Sequence, residues 1–166
     1  LMAAPTSELE LVITRVFHAP IACVCNAWTD PVRMASWWGP HEFTNPVCEL
    51  DAWPGGKWHV TMRSPESVDF PLRGTFIEVV PHELLVLTIN TEKHPAGWHA
   101  MIKALDGGAN RETLVTVTFS EDRGATTMVM RQRFATAAER AAHANLGAFS
   151  GWGQSFDSLE ELLLKQ

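Results

Sequence analysis

An α+β fold is predicted by three features of this chain. Short segments of alternating apolar and polar residues follow one another through its middle, joined by tight turns. Two short, proline-opened helices near the start carry Trp28, Trp37 and Trp38 within eleven residues. A helical stripe of large apolar side chains closes the sequence. Consecutive strands linked by tight turns read as an antiparallel meander, and the terminal stripe supplies a helix to cover one face.

The bulk properties narrow the function classes. The 166 residues suit one domain, and an apolar fraction of 46% with seven Trp and eight Phe provides for a real core. Residues 9–166 are expected to form this domain, with residues 1–8 as a flexible N-terminus. A net charge of −6 without a basic run excludes the electrostatic footprint of a nucleic-acid binder and disfavours anionic membrane surfaces. The longest apolar stretch, around Leu84 to Ile89, is far too short to span a bilayer. The first residues lack a charged, then apolar, leader pattern, so a cytoplasmic location is expected. Cys23, Cys25 and Cys48 form no closed disulfide set and no pair with metal-ligand spacing, so they read as reduced thiols.

In chain order, Leu9 to Phe17 reads as a strand with Leu9, Leu11, Ile13, Arg15 and Phe17 on one face. Pro20 opens a helix over Ile21 to Trp28. Asp30-Pro31 is an N-cap followed by proline at the first helical position, and Gly39-Pro40 ends this second helix. Val47 to Leu50, Lys57 to Arg63, Leu72 to Val80, Leu84 to Asn90, Thr113 to Ser120 and Thr126 to Phe134 are six further strands. Thr136-Ala-Ala-Glu139 is a capping box, and Phe149, Trp152, Phe156, Leu159 and Leu163 step along one stripe of a long helix.

Two irregularities stand out. Gly147, Gly151 and Gly153 fall within the terminal helix, at a cost of about 1 kcal/mol each relative to alanine. Three explanations compete: close approach of the sheet, space left for a ligand beside bare backbone, or a helix broken near Gly147. The link from Thr91 to Glu112 is 22 residues long, where hairpin links usually have about two to five. Within it Trp98, Met101, Ile102 and Leu105 have helical spacing, which predicts a short amphipathic helix lying on the body of the protein as a lid would.

Several separated motifs carry a family resemblance: Phe17-His-Ala-Pro20, Ala27-Trp-Thr-Asp-Pro31, Trp37-Trp-Gly-Pro40, Gly55-Gly-Lys-Trp58 with Met62, Gly74-Thr-Phe-Ile-Glu78-Val-Val-Pro81, Val115-Thr-Val-Thr-Phe119 and Gly151-Trp-Gly-Gln-Ser-Phe-Asp-Ser-Leu159. Together these resemble the SRPBCC (START-like, helix-grip) superfamily. More narrowly they look like the bacterial family named after the activator of the heat-shock protein 90 ATPase. The resemblance implies a curved seven-stranded antiparallel sheet wrapped around the C-terminal helix, with a cavity between them and the two short helices closing one end. The Thr91–Glu112 insertion departs from the bare pattern. A subset of such proteins carries an element similar to His94-Pro-Ala-Gly-Trp-His99.

Strand and helix parity nominates the cavity-lining residues: Trp58, Val60, Met62, Phe76, Met128, Met130, Phe149, Trp152 and Phe156, with Trp98 and Met101 from the insertion. Apolar and thioether surfaces of this kind either fill a core or hold a greasy ligand. Arg15, Glu78 and Gln132 share parity with these faces and are the polar candidates. For Glu78, an ion pair or a solvent-facing position beside a bulge is the competing reading. His94 and His99 lie five apart, off a common helical face, with no carboxylate to complete a metal set; no metal or other cofactor is expected. No nucleophile elbow, phosphate loop or dinucleotide fingerprint is present.

The leading expectation is a module that binds a small hydrophobic molecule. A polyketide cyclase or aromatase-like enzyme, implied by the superfamily, is the second; it requires an inward acid–base pair drawn from Arg15, Glu78 and Gln132. A chaperone-ATPase-regulating role rests on the family name alone. The edge strands and tryptophans leave a homodimer open.

Overall fold

The computed structural model describes residues 6–105 and 108–165. The chain runs α1 (Thr6–Leu9), β1 (Glu10–Phe17), α2 (Ile21–Thr29), α3 (Pro31–Trp37), β2 (Thr44–Leu50), β3 (Lys57–Arg63), β4 (Asp69–Val80), β5 (Leu84–Asn90), α4 (Ala96–Ala104), β6 (Glu112–Asp122), β7 (Ala125–Arg133), α5 (Ala137–Asn145) and α6 (Ala148–Leu164). Residues 6–9 form a single helical turn, which overlaps the end of the 1–8 stretch expected to be flexible and takes in Leu9, expected to open the first strand.

The seven strands make one open antiparallel sheet in the order β1-β7-β6-β5-β4-β3-β2. Strands β2 to β7 are a pure meander, and β1 joins its far edge by pairing with β7, Glu10 opposite Arg133 through Phe17 opposite Thr126. Alternation fixes which face is covered. On β6, Val115, Val117 and Phe119 are buried, and on β7 Met128, Met130 and Gln132 are, while their neighbours are more open. Helix α6 lies over this inner face with Phe156, Leu159 and Leu163 in the common core. This is the helix-grip arrangement.

The short helices follow their local signals. Asp30 Oδ1 accepts from the Val32 N–H at 3.1 Å and Pro31 occupies the first turn, so α3 starts where the sequence says it should. Thr136 accepts from the Glu139 N–H at the start of α5. The glycine of β4 has a steric reason: a methyl at Gly74 would overlap the Thr88 carbonyl oxygen on β5.

The structure decides two points that the sequence left open. The long terminal helix is two helices, α5 and α6, separated at Gly147, which is left-handed with φ 91°. Strand β4 is bulged between Phe76 and Glu78: Phe76 opposes Leu87, but Glu78 opposes Val86. One inserted residue reverses parity downstream of it. Glu78 is therefore exposed, and Val79 takes the inner position against the core.

Candidate functional site

The tryptophan cluster predicted from the sequence is split between filling and lining. Trp28, Trp37 and Trp58 are fully buried. The Trp37 indole N–H donates to the Ala27 carbonyl at 2.9 Å, and that of Trp28 points at Met128 Sδ at 3.3 Å. Trp38 stands at the junction, with ring centroids 5.0 Å from Trp58, 5.1 Å from Trp152 and 5.5 Å from Trp37, all edge-on.

Beyond Trp38 the packing stops. A hollow of about 240 Å³ remains between sheet and terminal helices. Its floor is inner-face residues of the strands: Met62, Leu72, Ile89 and Gln132. One wall is the break between α5 and α6, with His143, Leu146, Gly147, Gly151, Trp152 and Ser155. The opposite wall is Trp38-Gly39-Pro40, and His94 and Trp98 reach in from the insertion between β5 and β6. The glycines matter here. Apart from chain neighbours and the helix's own backbone, no atom of the described residues lies within 4 Å of the position a Cβ would take at Gly147 or Gly151, so the sheet does not approach α6 closely there; the bare backbone borders open space.

Polar groups around the hollow are mostly spoken for. Gln132 is buried; its Oε1 accepts from the Trp152 indole N–H at 2.9 Å, and its Nε2 donates to Thr113 Oγ1 at 3.0 Å. Ser155 Oγ accepts from the Gly39 N–H at 2.9 Å and donates to the Gly151 carbonyl at 3.2 Å. These bonds tie α6 to β7 and to the segment after α3, and so set the gap's width. His94 Nδ1 donates to the Pro71 carbonyl at 3.0 Å, and His143 Nδ1 to the Glu139 carbonyl at 2.8 Å. Both imidazoles are kept neutral chiefly by burial, which pushes His94 down to about 4 and His143 downward.

The insertion is pinned rather than loose. Trp98 packs edge-on against His94, centroids 4.7 Å apart, and against His143 at 5.7 Å. The Arg111 guanidinium lies 5.9 Å from the Trp98 ring and donates through Nε to His99 Nδ1 at 2.8 Å. Ile102 is fully buried under α4.

The comparisons with known proteins agree with this architecture. Residues 18–164 match the family described as Activator of Hsp90 ATPase homolog 1-like protein. The chain belongs to that family. Among solved structures, a protein from Nitrosomonas europaea is 25% identical, with 98% of this chain and 99% of that one covered at a TM-score of 0.79. A Rhodobacter sphaeroides protein is 22% identical, covering 98% and 96% at 0.79. One from Silicibacter pomeroyi, itself named for the same family, is 22% identical, covering 95% and 99% at 0.72. The latter two likenesses establish the fold. No curated protein matches the sequence.

Within this AHSA1-like fold the nominated residues fall into three groups. Met62, Trp98 and Trp152, with Gln132, come together around the hollow. Trp58, Val60, Phe76, Met128, Met130 and Phe156 are fully buried and fill the interior behind it. Met101 and Phe149 are half exposed and stand outside, Phe149 beneath the Arg140 guanidinium at 5.7 Å. Arg15 does turn toward α6, but it donates to the Gly153 carbonyl at 3.1 Å and pairs with Asp157 at 2.7 Å. Arg15, Glu78 and Gln132 therefore assemble no acid–base pair. Sequence reasoning missed His94 and His143 as lining groups. The hint for His94 was the His94-Pro-Ala-Gly-Trp-His99 element; nothing marked His143. A second hollow of about 250 Å³ lies between α2 and the β4–β5 turn, lined by Cys25, Asn26, Val80 and Phe119 among others, and includes no residue of α6. Among the described residues no group of three His, Cys, Asp or Glu side chains could hold a metal ion, and no helix is long and apolar enough to cross a membrane.

Proposed function

We propose that this protein binds a small hydrophobic or amphipathic molecule in the hollow between the sheet and the α5–α6 junction, with Trp98 and the β5–β6 insertion covering it. The observation that carries this reading is Gly151. A glycine inside α6 costs about 1 kcal/mol of helix stability, and what stands beside it is open space bounded by indole, thioether and aliphatic surface. Evolutionarily inexpensive repair by alanine would partly fill that space. An apolar pocket with a few placed polar groups is the usual form of a small-molecule site. Free thiols at Cys23, Cys25 and Cys48 support a reducing, cytoplasmic setting.

The test is occupancy. Titration with 1-aminoanthracene, an uncharged fluorophore of suitable shape, should give saturable enhancement that Gly151→Leu abolishes by filling the hollow. Native mass spectrometry of the purified protein should detect any retained guest. No enhancement up to the probe's solubility limit, together with a bare protein mass, removes the reading. For the cyclase-like alternative only Gln132 of the nominated residues borders the hollow, and its amide is held by Trp152 and Thr113.

A further inference from the structure

The hollow's lining restricts the chemistry of its guest. Among the described residues that form it, none is Lys, Arg, Asp or Glu. A charged ligand group would therefore meet no counter-ion in the lining itself, which disfavours it relative to an uncharged one. Yet the lining is not wholly satisfied. His94 and His143 each spend the Nδ1 proton on a backbone carbonyl. The tautomer is thereby set: Nε2 carries a lone pair in both rings, and neither Nε2 has a protein partner among the described residues. Neither atom is sealed in the core: among the described residues the buried, unpartnered side-chain N or O atoms are Asn45 Oδ1 and Trp58 Nε1. Both residues line the hollow, and both rings pack on the same Trp98 indole, His94 at 4.7 Å and His143 at 5.7 Å, so the two imidazoles stand in one part of the site. The indole N–H groups of Trp38 and Trp98 make no hydrogen bond among the described residues either.

Resting on the ligand-binding reading above, we infer that the natural guest is an uncharged molecule of about two-ring size carrying a hydroxyl group, which donates to Nε2 of His94 or His143. A hydroxyl both gives and takes a hydrogen bond, so it satisfies the imidazoles and can also receive an indole N–H. An ether or ketone only accepts, and leaves the imidazoles bare. Size follows from volume: an apolar cavity of about 150 Å³ accommodates benzene, and this one measures about 240 Å³. Burial keeps both imidazoles uncharged at neutral pH, in agreement with the acceptor role.

The experiment is isothermal titration calorimetry at about pH 7.5 with three probes of one shape: 2-naphthol, 2-methoxynaphthalene and 2-naphthoate. A neutral hydrogen bond is worth about a five- to tenfold change in Kd, so 2-naphthol should bind the wild-type protein tighter than the ether by about that factor. The carboxylate should bind at least about a hundredfold more weakly than 2-naphthol. Of His94→Phe and His143→Phe, measured separately and checked by near-UV circular dichroism, at least one should narrow the preference for 2-naphthol over the ether; a full preference kept in both folded variants overturns the inference. Equal affinities for 2-naphthol and the ether, or tighter binding of 2-naphthoate, overturns this inference and leaves the cavity reading standing. Absence of binding by all three overturns the cavity reading itself.

Discussion

Acidification from pH 7 to 4 should destabilise this protein through His94 in particular. The ring is 9% exposed, donates to the Pro71 carbonyl and sits edge-on to Phe70 and Trp98. His99 and His143 are close enough to oppose a positive charge on it, and burial opposes it more. Its protonation is thereby moved from 6.5 to about 4. Between these values the unfolded chain holds a proton that the folded chain refuses. Stability therefore falls as pH drops from about 6.5 to about 4 and the His94 contribution levels off below that. At about 1.4 kcal/mol per pH unit, the loss is about 3 kcal/mol, a large part of a typical domain's stability. His143, also depressed by burial, acts in the same direction. Urea unfolding followed by far-UV circular dichroism at several pH values measures the slope. His94→Asn is the control, because its amide N–H can replace Nδ1 toward Pro71 without titrating. The variant should start less stable at pH 7, having lost ring contacts, and the gap between the two proteins should close by about 3 kcal/mol at pH 4. Parallel stability curves for wild type and variant would show that His94 is not held neutral, and the argument would fail.

Three other perturbations have definite expected outcomes. Gly151→Ala should raise stability by about 1 kcal/mol, since it improves helix propensity and meets no atom within 4 Å; a fall in the urea midpoint would mean the space beside α6 is not there. Gln132→Leu leaves the Trp152 N–H without its acceptor and Thr113 without its donor, and should cost about 1–3 kcal/mol in the same assay. An unchanged midpoint would mean that these bonds do not hold α6 to β7. Cys25 and Cys48, whose thiols burial pushes up to about 11, should resist iodoacetamide at neutral pH in the native protein and react once it is unfolded in urea. Peptide mass mapping reads this directly, and rapid native labelling of either site contradicts their burial.

The framework was legible because it rests on local rules. Period-2 alternation marked β3, β6 and β7, and Asp30-Pro31 and Thr136 announced helix starts that the structure places at α3 and α5. The site was only partly legible, because it depends on interruptions of those rules. Parity alone turned Glu78 inward, and the competing position beside a bulge is the one that holds, because a single bulge residue reverses the alternation. Phe149 was assigned as the first member of the terminal helical stripe, but it stands in the first turn of α6, beside the Gly147 cap, and is half exposed. Met101 shares a broad stripe with Trp98 and Ile102, yet only the residues one turn apart face inward enough to be covered. His94 showed only as part of the His94-Pro-Ala-Gly-Trp-His99 element, and His143 not at all. Their orienting partners are backbone carbonyls, which any sequence supplies, and they meet through Trp98 only after the insertion folds back over α5.

The row of indoles has an optical consequence. Trp28, Trp37, Trp58 and Trp152 all surround Trp38, at centroid separations between 5.0 and 6.0 Å. Excitation deposited on any of them can hop through Trp38, and only Trp38 and Trp152 of the five border the hollow. A guest that quenches those two drains light from the three sealed behind them. The protein thus carries its own antenna, and filling one small void should dim most of its intrinsic emission at once.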